Sequence, residues 1–251
     1  MNTTIKNKTL FFSLGIFFIF IIWVIASSII NNDYILPNMP LTFKTLGNLL
    51  IDKTTYKILG MSLLRLLICL SISFVVALVL AILAIRFKYV KYFFSPNIGL
   101  IKTLPMVVII VLLLVIFNKA IAIYVISSFV MLPILYEGIV AGFNNIDKEA
   151  LEDIKTVSNF NLLIASKIYI PLSTPFILTA LLQSFGLGLK VSVMAEYISL
   201  PNDSIGKELY FHKNYSFEME YVVAWSIILV IVVLLVEGII KYTNYKFKKG
   251  I

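Results

Sequence analysis

Few residues in this 251-residue chain are equipped for chemistry, and their places narrow what that chemistry can be. One cysteine, Cys69, and one histidine, His212, cannot assemble a disulfide framework or a His/Cys metal cluster. Cys69 sits inside an apolar run and reads as a small packing residue, while His212 lies in a polar loop with no second ligand candidate nearby in sequence. Neither HExxH nor GxSxG occurs, and there is no GxxxxGK[ST] loop to cradle a nucleotide phosphate. The chain is therefore expected to be non-catalytic and to need no cofactor or metal. What remains is binding chemistry by charges in unusual places. The acid-bearing stretch EALEDIKTVSNFNLLIASKIYIP at 149–171 lies between two runs greasy enough for lipid, and Lys190 lies within one of them.

The elements that hold these residues follow from composition. The chain is 60% hydrophobic with a mean hydropathy of +0.99. Its 14% charged residues compare with about 25% in a soluble domain. The apolar residues come in long continuous blocks, which predicts transmembrane helices rather than the alternating strands of a barrel. Six spans are expected, over about Leu10–Ile30, Ile58–Ile85, Ile98–Phe117, Ala120–Val140, Pro171–Ser199 and Glu220–Ile240. Pro96 is expected to break the chain before the third, and Asn118-Lys119 to turn into the fourth. The first block is long enough for a retained helix and exceeds the roughly 7–15 residues of a signal-peptide core.

The fold class predicted is thus an all-α membrane bundle of about six helices. Residues 1–34 form an N-terminal transmembrane helix, 35–57 an external connection, 58–245 the core with a polar segment at 141–170, and 246–251 a basic tail.

Net charge is +8, but its placement speaks for a membrane and not for nucleic acid. With both termini inside, the inner segments carry Lys6, Lys8, Arg86, Lys88, Lys91, Lys102, Lys148, Lys155, Lys167 and the four tail lysines. The outer segments carry only Lys44, Lys53, Lys57, Lys119, Lys207 and Lys213. That bias predicts a multi-pass bacterial cell-membrane protein with cytoplasmic termini and a cytoplasmic 141–170 segment.

Within that segment, Asn144, Asn145 and Asp147 can cap a helix of roughly 148–157, and Glu149, Glu152 and Asp153 complement the positive end of its dipole. Ala150, Leu151, Ile154 and Val157 recur at helical spacing, so the helix has an apolar face. It could lie at the lipid interface, or dock that face into a groove on a cytoplasmic partner.

This segment resembles the cytoplasmic "EAA" loop of ATP-binding-cassette importer permeases. Glu152-Asp153-Ile154 stand at the first triplet, Ser158 at the glycine, and Ile168, Tyr169, Ile170 and Pro171 follow at the expected interval. The spacing is kept, while both alanines, the glycine and the leucine of the pattern are replaced. Flanking stretches are similar to the nitrate, sulfonate and taurine branch of these permeases: ILPNMP at 35–40, SLLRLL at 62–67, KTLPMVVI at 102–109, LPILYEGIVAGFNNID at 132–147 and PLSTPFILTALLQSFGLGLKVSVMAEYI at 171–198. The resemblance implies that Glu149, Ala150, Leu151, Glu152, Asp153, Ile154, Val157 and Ser158 form a coupling helix seated on a cytoplasmic ATPase. It further implies a homodimer, and an external solute-binding protein that meets residues 31–57 and 200–219.

Inside the membrane, Thr179, Gln183, Lys190 and Tyr197 share one broad helix face. Ala180, Ser184, Gly188 and Ser192 form a small-residue stripe on another, suited to close helix packing. A mid-membrane lysine costs roughly 2.5–3.5 kcal/mol. Lys190 therefore either lines a passage, which would suit an anionic or acceptor-rich solute, or snorkels or pairs with an acid such as Glu196. Gln183, Gly186, Lys190 and Glu196 are the pathway candidates. Arg65 is read as structural or as part of a dimer. A secondary transporter without an ATPase is the alternative, and a membrane-embedded enzyme lacks any convergent catalytic set.

Overall fold

The computed structural model describes residues 2–147 and 162–249. The expected coupling helix, Glu149 to Ser158, lies outside them. The described residues are helical, with no strand among them. Five helices are long and apolar enough to cross a membrane, or six if one sharply bent pair counts as a span. This is the predicted all-α membrane bundle. The chain divides into two compact units, Met1–Lys57 with Glu208–Val230, and Ile58–Lys207 with Ile231–Ile251.

In the first unit, α1 (Asn2–Ile30) is followed by a turn and by α2 (Met39–Ile51). This helix lies within the 35–57 stretch expected as an external connection. A helix forms there because Asn38 accepts a hydrogen bond from the Leu41 amide at 2.9 Å, and Pro40 presets the first turn. Asp33 accepts from the backbone and side-chain amides of Asn38, and the Trp23 indole donates to the Pro37 carbonyl, so the turn is held at both ends.

Helix α3 (Lys53–Arg86) starts in the first unit and continues into the second, which also holds α4 (Lys88–Thr103), α5 (Met106–Ile116), α6 (Lys119–Asn144) and α7 (Thr174–Ser199). Asn118 caps α6 by accepting from the Ile121 amide at 3.0 Å. The third span departs from expectation. The chain does not break at Pro96, which lies inside α4, where the neighbouring Asn97 side chain donates to the Phe93 carbonyl. The break falls at Leu104-Pro105, where α4 and α5 meet at 104°. Proline disfavours the helical conformation for the residue before it, and Leu104 is extended with ψ of 134°.

Helices α6 and α7 pack extensively against each other. Their contact is lined by the predicted small residues. Ala180, Ser184, Gly188 and Ser192 are all buried, and Gly138 of α6 faces Ala180 so closely that a Cβ there would collide with it. Cys69 is buried in α3, where its carbonyl accepts from Ser73 and, at 3.3 Å, from Ser128 of α6. It is a packing residue at a helix crossing. After α7, α8 (Ile205–Phe211) and a π-helical turn at His212–Ser216 lead to α9 (Met219–Lys249).

Candidate functional site

Two polar groupings of the second unit bear on function. Near one end of α3, Arg65 donates to the Glu196 carboxylate of α7 at 3.0 Å and to the carbonyls of Asn202 and Asp203 at 2.8 and 3.1 Å. Glu196 has no exposed surface. Its second oxygen accepts from Ser62 at 2.9 Å and from the Gly206 amide at 3.3 Å. The Ser62 hydroxyl in turn accepts from the Ile205 amide. A buried carboxylate is tolerable only with such a set of donors. Glu196 thus stands apart from the other pathway candidates, as the hub that ties α3, α7 and the loop after α7 together. Of the alternatives open for Lys190, pairing with Glu196 is not realised, since Glu196 is held by Arg65.

Lys190 is exposed on α7 and has no ion-pair or hydrogen-bond partner among the described residues. Thr179 and Gln183, on the same face, are exposed as well, while Gly186 is half-buried. That face is polar and open, and the opposite one is small and packed.

The second grouping lines a cavity of about 740 Å³ between α4, α6 and α7. Its lining includes Lys102, Glu137, Pro175, Phe176, Thr179 and Gln183. Lys102 donates to the Glu137 carboxylate at 2.6 Å, and both side chains are half-exposed. The Thr179 hydroxyl donates to the Pro175 carbonyl at 2.8 Å. The arrangement can bind a small polar solute by charge and hydrogen bonding. It holds no nucleophile paired with a base, and no group of three or more metal-ligating side chains occurs among the described residues.

In the first unit, His212 stacks on Tyr221 with ring centroids 4.2 Å apart. Its Nδ1 lies 2.8 Å from Glu218 and its Nε2 3.6 Å from Glu208, the latter an ion-pair and not a hydrogen-bond distance. Burial works against the charged imidazolium, but the two glutamates outweigh it and raise the His212 pKa above its ordinary value.

Three of these groupings are not legible in the sequence: the place of Glu137 beside Lys102, the Arg65–Glu196 link and the glutamates around His212. Only Glu208, four residues before His212, gave a local signal.

No curated protein matches the chain in sequence. Its fold is similar to that of solved ABC transporters. A structure described as an amino acid ABC transporter with histidines superposes with a TM-score of 0.62 at 19% identity, over 74% of this chain and 90% of that one. An inward-facing MetNI methionine ABC transporter gives 0.64 at 14% identity, over 76% of this chain and 93% of that one. Residues 73–249 match the family described as the binding-protein-dependent transport system inner membrane component. With that match over most of its length on an all-helical membrane fold, the chain belongs to this family, as an integral-membrane ABC importer permease that is itself non-catalytic and relies on a partner for ATP hydrolysis.

Proposed function

We propose that the chain forms the translocation pathway for a small solute of the sulfonate, nitrate, taurine or thiamine-precursor type, delivered by an external binding protein. The observation that carries this reading is the cavity between α4, α6 and α7, whose polar lining draws on Lys102, Thr179 and Gln183. The stretches KTLPMVVI and PLSTPFILTALLQSFGLGLK, which resemble the nitrate, sulfonate and taurine branch, supply those residues. Gln183, Gly186 and Lys190 extend the pathway along the open face of α7.

Two copies act as a homodimer, each with both termini in the cytoplasm and a coupling helix at Glu149–Ser158 on an ATPase subunit. ATP binding draws the coupling helices together and switches the pore between outward and inward access. Two copies of so small an interface would reinforce each other by avidity. The receptor meets the outer segments, where a cavity of about 710 Å³ is bordered by Asp33, Glu218 and Glu220. The division into residues 1–34, 35–57, 58–245 and 246–251 belongs to the same proposal, with 35–57 now holding α2. Family membership leaves no support for a secondary transporter, although a sharply bent helix pair of the kind such proteins use does occur at Leu104-Pro105.

The test is co-purification of the detergent-solubilised chain expressed with its native neighbours. Wild type is expected to bring down an ATPase that the Leu151→Ala/Glu152→Ala variant loses. If wild type brings down none, the coupling reading falls.

A further inference from the structure

Lys102 and Glu137 are the two charged residues in the lining of the α4–α6–α7 cavity. They are 35 positions apart in the chain and close on each other at 2.6 Å, yet each side chain keeps 47% of its surface exposed. An ion pair so open to solvent contributes little and is easily parted. Gln183, beside them, is exposed and makes no hydrogen bond among the described residues. Thr179 has spent its proton on Pro175 and keeps its oxygen lone pairs.

We propose that this pair is a subsite for a small zwitterion, with the Lys102 ammonium taking the solute's carboxylate or sulfonate and the Glu137 carboxylate taking its ammonium. The inference rests on the permease reading above and narrows its substrate class. A zwitterion whose charges are two or three bonds apart can slip between the two side chains. One weak pair is then exchanged for two charge-assisted contacts, with Gln183 and Thr179 offering hydrogen bonds to the remainder. A simple anion would satisfy Lys102 but leave Glu137 unpaired beside a like charge, and a simple amine would do the same to Lys102. Because the pair is neutral overall, the cavity sets no net field that would favour either single ion. If the pair were only a tether between α4 and α6, matched single ions and zwitterions would bind alike.

The experiment measures equilibrium binding to the full chain in nanodiscs with its ATPase and without the receptor, so that receptor selection does not enter. The probes are taurine and β-alanine against ethanesulfonate, propionate and ethylamine. In wild type, each zwitterion is expected to bind at least about tenfold tighter than its matched single ions. Glu137→Gln should erase the preference over the anions without weakening ethanesulfonate binding. The reversed pair, Lys102→Glu with Glu137→Lys, should retain the preference. Equal binding of zwitterions and single ions in wild type, or an unchanged preference in Glu137→Gln, overturns the proposal. ATP-driven uptake into proteoliposomes carrying the receptor is read separately. Its absence in wild type overturns the permease reading itself, whereas uptake together with an unchanged preference in Glu137→Gln overturns the zwitterion subsite alone.

Discussion

Arg65 and Lys190 are both cations in spans, and their surroundings divide their roles. Arg65 is 9% exposed, and its planar fork reaches one carboxylate and two carbonyls at once. Removing it leaves Glu196 buried with only neutral donors. Arg65→Met is therefore expected to destabilise the chain by about 3–5 kcal/mol, because an uncompensated buried charge is left behind. The double variant Arg65→Met/Glu196→Gln should recover part of that loss, since the amide can still accept from Ser62 and Gly206. Thermal unfolding of the detergent-solubilised variants measures both, and additive losses would show that the pair is not coupled. Lys190 makes no such contact, so Lys190→Met is expected to leave the melting temperature unchanged or higher. The types and depths of these residues were readable in the sequence. Their partners were not, because Arg65 and Glu196 are 131 positions apart and their meeting depends on how two helices are rotated.

At the scale of elements, the pairing of α6 with α7 rests on small residues that let two backbones approach. A Cβ on Gly138 would overlap the Cβ of Ala180, which has no rotamer to move aside. One on Gly186 would meet nothing within 4 Å. Gly138→Ala is expected to cost about 1–3 kcal/mol by forcing the helices apart. Gly186→Ala should instead gain up to about 1 kcal/mol from helix propensity. Melting temperatures that move in opposite directions would support this contrast, and a neutral Gly138→Ala would refute the close approach. The small-residue stripe of α7 was legible because a four-residue recurrence is a local pattern. The third span breaks at Leu104-Pro105 and not at Pro96, as its sequence suggests. Both prolines carry the same local signal, and only before Pro105 does the preceding residue, Leu104, leave the helical conformation.

For the whole molecule, the lysine and arginine bias predicts that α8 and the turn after it lie outside and the α3–α4 connection in the cytoplasm. Lys213 and Lys91, one in each region, are both exposed. Lys213→Cys is expected to react with a membrane-impermeant maleimide in intact cells, and Lys91→Cys only after permeabilisation. Cys69 is buried and should not compete for the label. The reverse pattern would invert the topology and with it the cytoplasmic placement of Glu149–Ser158. What the sequence by itself determined was the class: long apolar blocks are local features that suffice for a helical membrane protein, and the resemblance of its motifs to importer permeases supplied the rest. Tertiary structure alone decided which charges neutralise one another, that Lys102 and Glu137 share a cavity, and that α4 and α5 bend apart. Hydropathy fixes the depth of a residue along a span, but only packing sets the rotation of each helix about its axis, and a pair of charges exists only when both agree.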